Sequence, residues 1–323
     1  ASEEKWLVKN VQLEMQGDWT KWLGLMARDV SWNKLLYQQG EYLLKFQLNA
    51  TTETCATPAN LRRWGAVNTG TCRLCQTRVA TLAHILNLCP VALKQSRFTW
   101  RHDSVLLEIQ YLLRPFVSLQ SALVKQKGPV KAMPLPALKS SFVKAGQAPK
   151  AKSKPAPPAS VFLQASDWQL RFDLHYDEKG AKAQTRFPDE IVVSPLCPDI
   201  VIWSKTLRMV IFIELTVPWE ENIDKAQLRK DERYRSLELL CEQDKWQVRR
   251  FEIEVGARGY VAPSFARAWT ALGLPPKLRK DLRRNCSDKA LLCSYVIYLA
   301  RFNVLWEPRP PLTPKRAELS LKQ

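Results

Sequence analysis

The stretch from residue 198 to residue 234 constrains the fold most strongly, because it holds two apolar runs separated by a short polar turn. The runs span residues 200–203 and 209–217 and are rich in Val, Ile and Phe, as is typical of buried strands. Pro218 stops the second run because proline has no backbone N–H for a sheet ladder. The pattern predicts a β-hairpin followed by a helix over residues 220–243.

One acidic residue, Glu214, lies inside the second apolar run. A buried carboxylate is costly unless it is paired or binds a metal ion. Asp199 opens the first run, so the hairpin is expected to bring two carboxylates together, and each raises the pKa of the other unless a cation neutralises them. Mg²⁺ suits such a pair, because it often uses one or two carboxylates together with waters and a substrate phosphate. Lys230 and Tyr234, one helical turn apart on the following helix, are candidates to act beside that ion.

A second strong pattern consists of three cysteines and a histidine. Cys72 and Cys75 are separated by two residues, His84 follows after eight more, and Cys89 after a further four. The close pair forms a knuckle, and the last two residues, on a predicted helical segment, can complete a tetrahedron of the Cys₃His type used for structural zinc. The alternative is a reduced cysteine pair beside a core histidine, but the spacing favours Zn²⁺.

The charge of the chain indicates a polyanionic partner. Lys and Arg number 49 and Asp and Glu 31, which gives a net charge of +18, and the pI is about 9.7. Nucleic acid is the expected partner, although charge can also serve solubility alone. No secretory signal is recognisable, and the apolar run at residues 290–306 contains Arg301 and is short for a membrane span, which favours a buried helix.

The length of the chain predicts two domains. Helical periodicity over residues 4–48 predicts three helices, alternation over 168–176 predicts a strand, and residues 246–255 and 263–274 predict a strand and a helix. Residues 125–160 hold eight lysines, seven prolines and no acids, a composition typical of a flexible linker. The predicted divisions are a helical region with the knuckle at 72–89 (residues 1–118), a Lys/Pro-rich linker (119–160), an α/β domain with a mixed central sheet flanked by helices (161–310) and a tail (311–323).

Together these motifs resemble the C-terminal region of site-specific non-LTR retrotransposon reverse transcriptases, where a Cys-Cys-His-Cys knuckle precedes a restriction-like endonuclease of the PD-(D/E)xK type. The simple nuclease motif has its lysine two residues after the acid, at Thr216 here, whereas the retrotransposon family carries it on the following helix, at Lys230. The matching segments are Pro198-Asp199, ELTVPWE at 214–220, Arg229-Lys230 with Arg233-Tyr234, and EVG with RGY between 254 and 260.

The resemblance implies a Mg²⁺-dependent endodeoxyribonuclease with a structural Zn²⁺. Its catalytic residues would be Asp199, Glu214, Lys230 and Tyr234, with Asp199 and Glu214 as magnesium ligands and Glu190 as an accessory ligand. Such an enzyme nicks target duplex DNA in the nucleus to prime reverse transcription of the element RNA. It also implies a reverse transcriptase domain upstream in the full-length protein and no membrane partner.

Two positions leave alternatives open. Cys197 stands where the family has Arg or Lys, so a catalytically decayed or domesticated fragment that binds nucleic acid without cutting it is the second interpretation. His102 lies in an Arg-His-Asp segment that also resembles the family. It could support the active site, contact nucleic acid or simply open a helix.

Overall fold

The chain has a mixed α/β fold, as the sequence predicted. The described residues form seven α-helices and a four-stranded sheet. The computed structural model describes residues 40–130, 159–177, 182–183, 185–307 and 309–313. The side chains at 224 and 226–231 are not among those described. The helices predicted before residue 40 also lie outside the described residues, apart from isolated positions.

The elements follow one another in the order the motifs indicated. The helices are α1 (Glu41–Thr51), α2 (Pro58–Arg63), α3 (Pro90–Lys94), α4 (Arg97–Lys127), α5 (Ile223–Gln243), α6 (Pro263–Ala271) and α7 (Pro276–Leu299). The strands are β1 (Gln169–Phe172), β2 (Ile200–Ser204), β3 (Met209–Thr216) and β4 (Gln247–Glu254). A π-helical turn covers His84–Leu88, and a 3₁₀ turn at Glu220–Asn222 leads into α5.

The sheet has the strand order β1-β2-β3-β4 and mixes both strand directions. β1 and β3 run antiparallel to β2, and β4 runs parallel to β3. The predicted hairpin is therefore confirmed, with Ile200 opposite Ile213 and Trp203 opposite Val210. β1 is shorter than the predicted strand over residues 168–176.

Helices cover both faces of the sheet, which explains why β2 and β3 are apolar along almost their whole length. One face packs against α4, α6 and α7, and the other packs against α5. The strand residues on the first face are Ile200, Ile202, Ile211, Ile213 and Leu215, and those on the second are Val201, Trp203, Val210 and Phe212.

Helix α4 replaces part of the predicted linker. It continues to Lys127, although the linker was predicted to begin at residue 119, and ends at Gly128 with a φ of 81°. Val117 and Val124 are buried on its inner face. Packing against the core therefore outweighs the lysine-rich composition and Pro115 inside the helix.

The two ends of the remaining linker lie side by side. The backbone N–H of Val130 donates to the carbonyl of Leu163 at 2.9 Å. Residues 131–158, which make up most of the predicted linker, lie outside the described residues. The described residues on either side of this segment are thus adjacent in the fold.

The C-terminal part docks onto α4 and α7. The apolar run that begins at residue 290 belongs to α7, whose inner face is buried, as predicted. Beyond it, Leu312 donates its backbone N–H to Ser104 Oγ at 3.0 Å, and Lys289 Nζ donates to the Leu312 carbonyl at 3.2 Å. The predicted tail therefore starts with packed residues. None of the described helices combines the length and apolar character needed to cross a membrane.

Candidate functional site

Cys72, Cys75, His84 and Cys89 form a compact cluster that could hold a metal ion such as zinc. Their ligand atoms all lie within 4.8 Å of one another. Cys72 Sγ is 4.0 Å from Cys89 Sγ, and Cys75 Sγ is 3.4 Å from His84 Nε2. A tetrahedral ion with Zn–S bonds of about 2.3 Å separates two sulfurs by about 3.8 Å, so both the donor set and its spacing fit zinc.

Local backbone geometry assembles this cluster. The Cys72 N–H donates to the Arg78 carbonyl at 2.8 Å, and Gln76 turns the chain with a φ of 56°. These contacts close the knuckle between the first two cysteines. Thr81 Oγ1 accepts from the His84 N–H at 3.1 Å and so caps the turn that carries the histidine.

The environment shifts the pKa values of three groups of the cluster in different directions. Burial raises the pKa of Cys72 to about 11. Burial also acts to raise the pKa of Cys75, but hydrogen bonds from Thr77 and the backbone outweigh it and lower that pKa to about 7. Burial, helped by the charge of Arg78, lowers the pKa of His84. The imidazole is therefore neutral at pH 7, as a metal ligand must be.

Asp199 and Glu214 meet at the end of the hairpin, as predicted. Because Ile200 pairs with Ile213, the next residues along each strand, Asp199 and Glu214, stand opposite each other. The Asp199 N–H donates to Glu214 Oε1 at 3.3 Å, and the Leu215 N–H donates to Asp199 Oδ2 at 2.8 Å. Both acids are buried, with 8% and 1% of their surfaces exposed. Two carboxylates are thus held together inside the protein.

His102 of α4 also contacts this pair. Its Nε2 lies 3.2 Å from Asp199 Oδ2, and its Nδ1 lies 2.7 Å from Asp103 Oδ1. Burial lowers the pKa of the ring, but the charge of Asp199 and the hydrogen bonds to both acids outweigh that effect and raise the pKa to about 10. Both contacts therefore favour the charged form of the ring beside Asp199.

Two further predicted site residues, Tyr234 and Lys230, belong to α5. Tyr234 lies at the site: its hydroxyl donates to the Cys197 carbonyl at 3.1 Å, and burial together with the charge of the nearby Glu214 raises its pKa. Lys230 lies in α5 one turn before Tyr234, and its side chain is outside the described set.

Glu190 does not join the site. Its Oε1 accepts from Trp203 Nε1 at 2.5 Å, and its Oε2 pairs with Lys205 Nζ at 2.6 Å. Trp203 lies near the end of β2 farthest from Asp199, and Lys205 follows directly after that strand. The role of Glu190 as an accessory ligand therefore stays a prediction, and in this structure a lysine and an indole bind its carboxylate.

Cys197 lies beside the acids but adds no positive charge. Burial and the charges of Asp173, Asp199 and Glu214 raise the pKa of its thiol to about 12. The side chain is consequently neutral at physiological pH. It cannot supply the charge of an Arg or Lys at this position.

Other residues of the recognised motifs form a buried ion-pair network behind the site. Arg258, with 1% of its surface exposed, donates through its N–H to Glu220 Oε1 and through Nε to Glu220 Oε2, both at 2.7 Å. It also contacts Glu53 of the helical region at 3.3 Å and stacks over the Trp219 ring at 3.6 Å. Any side chain at Gly256 would collide with the Glu220 carboxylate. These contacts thus join the segment after α1 to the segments that follow β3 and β4.

Comparison with known proteins does not assign this chain to a family. No protein-family model matches this sequence, and no curated protein matches it at a significant level. The functional argument therefore depends on the two clusters. Among the described residues, the Cys₃His cluster is the only group of three or more Cys, His, Asp or Glu side chains close enough to share an ion. Asp199 and Glu214 offer two ligands.

Proposed function

We propose that this chain is the endonuclease part of a non-LTR retrotransposon protein and cuts one strand of duplex DNA with the help of Mg²⁺. The observation that carries the proposal is the buried Asp199–Glu214 pair at the end of the hairpin. The motifs around it and the net charge of +18 support the same conclusion. A core of the PD-(D/E)xK type is part of this proposal, consistent with the mixed sheet.

The two carboxylates are the proposed Mg²⁺ ligands. They fit that ion because it is bound through oxygen and often needs only one or two carboxylates beside waters and substrate phosphate. When bound, the ion would polarise the scissile phosphate and make a nucleophile from water at neutral pH. Asp199 and Glu214 would hold and orient the ion, Tyr234 fixes the segment before Asp199 by donating to the Cys197 carbonyl, and Lys230 is the proposed group that orients the attacking water.

The Cys₃His cluster has a structural role in this proposal. We assign it to Zn²⁺ because three thiols and an imidazole at this spacing are a standard closed zinc set. Asn87, on the turn between the third and fourth ligands, donates through Nδ2 to the Val217 carbonyl at 3.1 Å. The cluster therefore stabilises the segment that connects β3 to α5, which begins shortly after Glu214.

A binding-only protein is the second candidate, and Cys197 is the observation that favours it. A cation at that position would lie beside Asp173, Asp199 and Glu214, whereas the neutral thiol adds no positive charge there. Such a protein would bind nucleic acid through its positive charge without hydrolysing it.

A nicking assay on supercoiled plasmid distinguishes the two candidates. We expect the chain to convert supercoiled to open-circular DNA in Mg²⁺ and to stop when EDTA is added, because hydrolysis requires the metal. Ca²⁺ is a suitable control, because it also binds oxygen ligands but has a larger and more flexible coordination shell than Mg²⁺. Binding without any open-circular product in Mg²⁺ or Mn²⁺ would favour the binding-only protein.

The affinity for duplex DNA is expected to fall steeply with salt. Each phosphate that Lys or Arg contacts releases counterions, so the logarithm of the affinity should fall with the logarithm of the salt concentration at a slope of about −0.9 per contact. Fluorescence anisotropy with a labelled duplex at several salt concentrations measures the slope. A slope near zero would contradict electrostatic binding to DNA.

A glutamine-substituted linker tests which part of the chain supplies those contacts. If the linker touches DNA, the slope should become shallower when its lysines are neutralised, whereas a plain spacer leaves it unchanged. The lysines to replace are Lys131, Lys139, Lys144, Lys150, Lys152 and Lys154.

A further inference from the structure

His102 is placed by α4 against a carboxylate that lies 97 residues away in the sequence. Its side chain is 19% exposed, while that of Asp103 is fully buried. Acceptor oxygens face both ring nitrogens: Asp103 Oδ1 faces Nδ1, and Asp199 Oδ2 faces Nε2. His102 therefore bridges the two acids through its two ring nitrogens.

The neighbouring residue anchors this part of α4 to the end of β3. Arg101, which is fully buried, donates through Nη2 to the Val217 carbonyl at 3.1 Å and through Nη1 to Ser294 Oγ at 3.0 Å. His102 Nε2 also lies 3.1 Å from the Leu215 carbonyl. The ring thus has a fixed position relative to the strand that carries Glu214.

Asp103 is itself held from behind. Lys182 Nζ lies 3.2 Å from Asp103 Oδ2 and 2.8 Å from Asp173 Oδ2. The Tyr176 hydroxyl donates to Asp103 Oδ2 as well. A continuous series of contacts therefore runs from Lys182 through Asp103 and His102 to Asp199.

Two donors converge on one oxygen of Asp199. The Leu215 N–H and His102 Nε2 both contact Oδ2. A carboxylate oriented in this way loses less rotational freedom when it binds a cation. Partners of this kind, which contact a metal ligand rather than the metal, commonly change metal affinity 10–100-fold when they are removed.

We propose that His102 is a positioning residue, which holds the Asp199 carboxylate in the orientation that binds a divalent cation, with Asp103 fixing the imidazole in turn. The inference rests on the proposed function, because it assumes that Asp199 is a metal ligand. The competing possibility is that His102 merely neutralises Asp199 and must be displaced by the metal. In that case its removal would strengthen metal binding.

The test compares His102→Leu, which removes both donors, with His102→Gln, whose amide nitrogen can donate from nearly the same place as Nε2. The Mg²⁺ concentration for half-maximal nicking is expected to rise about 10–100-fold in His102→Leu and to stay within a few-fold of the parent in His102→Gln. His175→Leu is the matched control, because His175 is an exposed histidine of the same region. Its Mg²⁺ requirement should equal that of the parent.

Mn²⁺ binding without DNA, measured by calorimetry or electron paramagnetic resonance, provides a readout that does not depend on cutting. The signal that disappears in Asp199→Ala defines the site, and His102→Leu should weaken it by a similar factor. If His102→Leu does not fold, Asp103→Asn replaces it, with a smaller weakening expected because the amide keeps an acceptor for the ring.

The possible outcomes distinguish a failure of the positioning role of His102 from a failure of the proposed nuclease function. If the parent nicks DNA and His102→Leu binds the metal as tightly as the parent or more tightly, the positioning role alone is overturned. A parent that binds Mn²⁺ through Asp199 but does not nick overturns the nuclease, while its variants still decide the role of His102. A parent without Asp199-dependent Mn²⁺ binding overturns both.

Discussion

Asp199→Asn and Glu214→Gln are each expected to abolish Mg²⁺-dependent nicking by the full chain, with a loss of at least about 10³-fold. The estimate follows because a catalytic metal supplies several kcal/mol of stabilisation, and about 1.4 kcal/mol corresponds to a tenfold change in rate. Both substitutions keep the size of the side chain and remove its charge. Asparagine also keeps an oxygen that can accept the Leu215 N–H now bound by Asp199. The rate of plasmid nicking at saturating DNA is the measurement.

Duplex binding should survive these substitutions, because neither acid contributes positive charge. Asp189 is the matched control, because it is an exposed acid of the same predicted domain. Asp189→Asn should nick like the parent. Nicking by Asp199→Asn at the rate of the parent would refute the proposed function, because the activity would then come from another site or from a contaminating nuclease.

Loss of the metal at the Cys₃His cluster is expected to have the largest effect on stability. Binding of structural Zn²⁺ supplies about 10–16 kcal/mol in zinc-finger peptides, so its loss can exceed the total stability of a domain. In Cys72→Ser we expect zinc content to fall from one ion per chain to none and the melting temperature to drop sharply. Native mass spectrometry and thermal unfolding with and without a chelator measure both quantities.

The damage should extend to catalysis. Cys72 and Cys89 share a buried cluster with Trp219, and Asn87 holds the Val217 carbonyl. Both contacts lie just beyond Glu214, so loss of the ion should also reduce nicking. Cys197→Ser, outside the cluster, should retain one zinc per chain. A parent protein that purifies without metal, and melts at the same temperature with and without chelator, would contradict the assignment.

Local patterns in the sequence were sufficient to predict the hairpin and its acids. Two apolar runs, a polar turn and a terminating proline specify β2 and β3, and the hairpin register then places Asp199 opposite Glu214. The cysteine spacing likewise predicts a cluster that the backbone turns bring together. In both cases the signal lies within about 20 residues of sequence.

Contacts between distant segments could not be predicted in this way. His102 reaches Asp199 because α4 packs against the sheet; the Arg-His-Asp segment left a supporting role open, but its spacing does not indicate which acid the ring contacts. The continuation of α4 to Lys127 was missed because Val117 and Val124 gain burial that a composition of lysine and proline does not reveal. Glu190 was assigned by resemblance, but Lys205 binds it instead.

The hydrogen bond between Val130 and Leu163 bears on how this gene can change in length. Since α4 and the sheet share one hydrophobic core, the chain between residues 131 and 158 joins two points of a single folded body. Closing a loop whose ends are already adjacent costs little more when the loop grows, about 0.6 kcal/mol for each doubling. Insertions and deletions there should accumulate almost neutrally, and a peptide tag or a fluorescent domain placed at this point should leave the shared hydrophobic core intact.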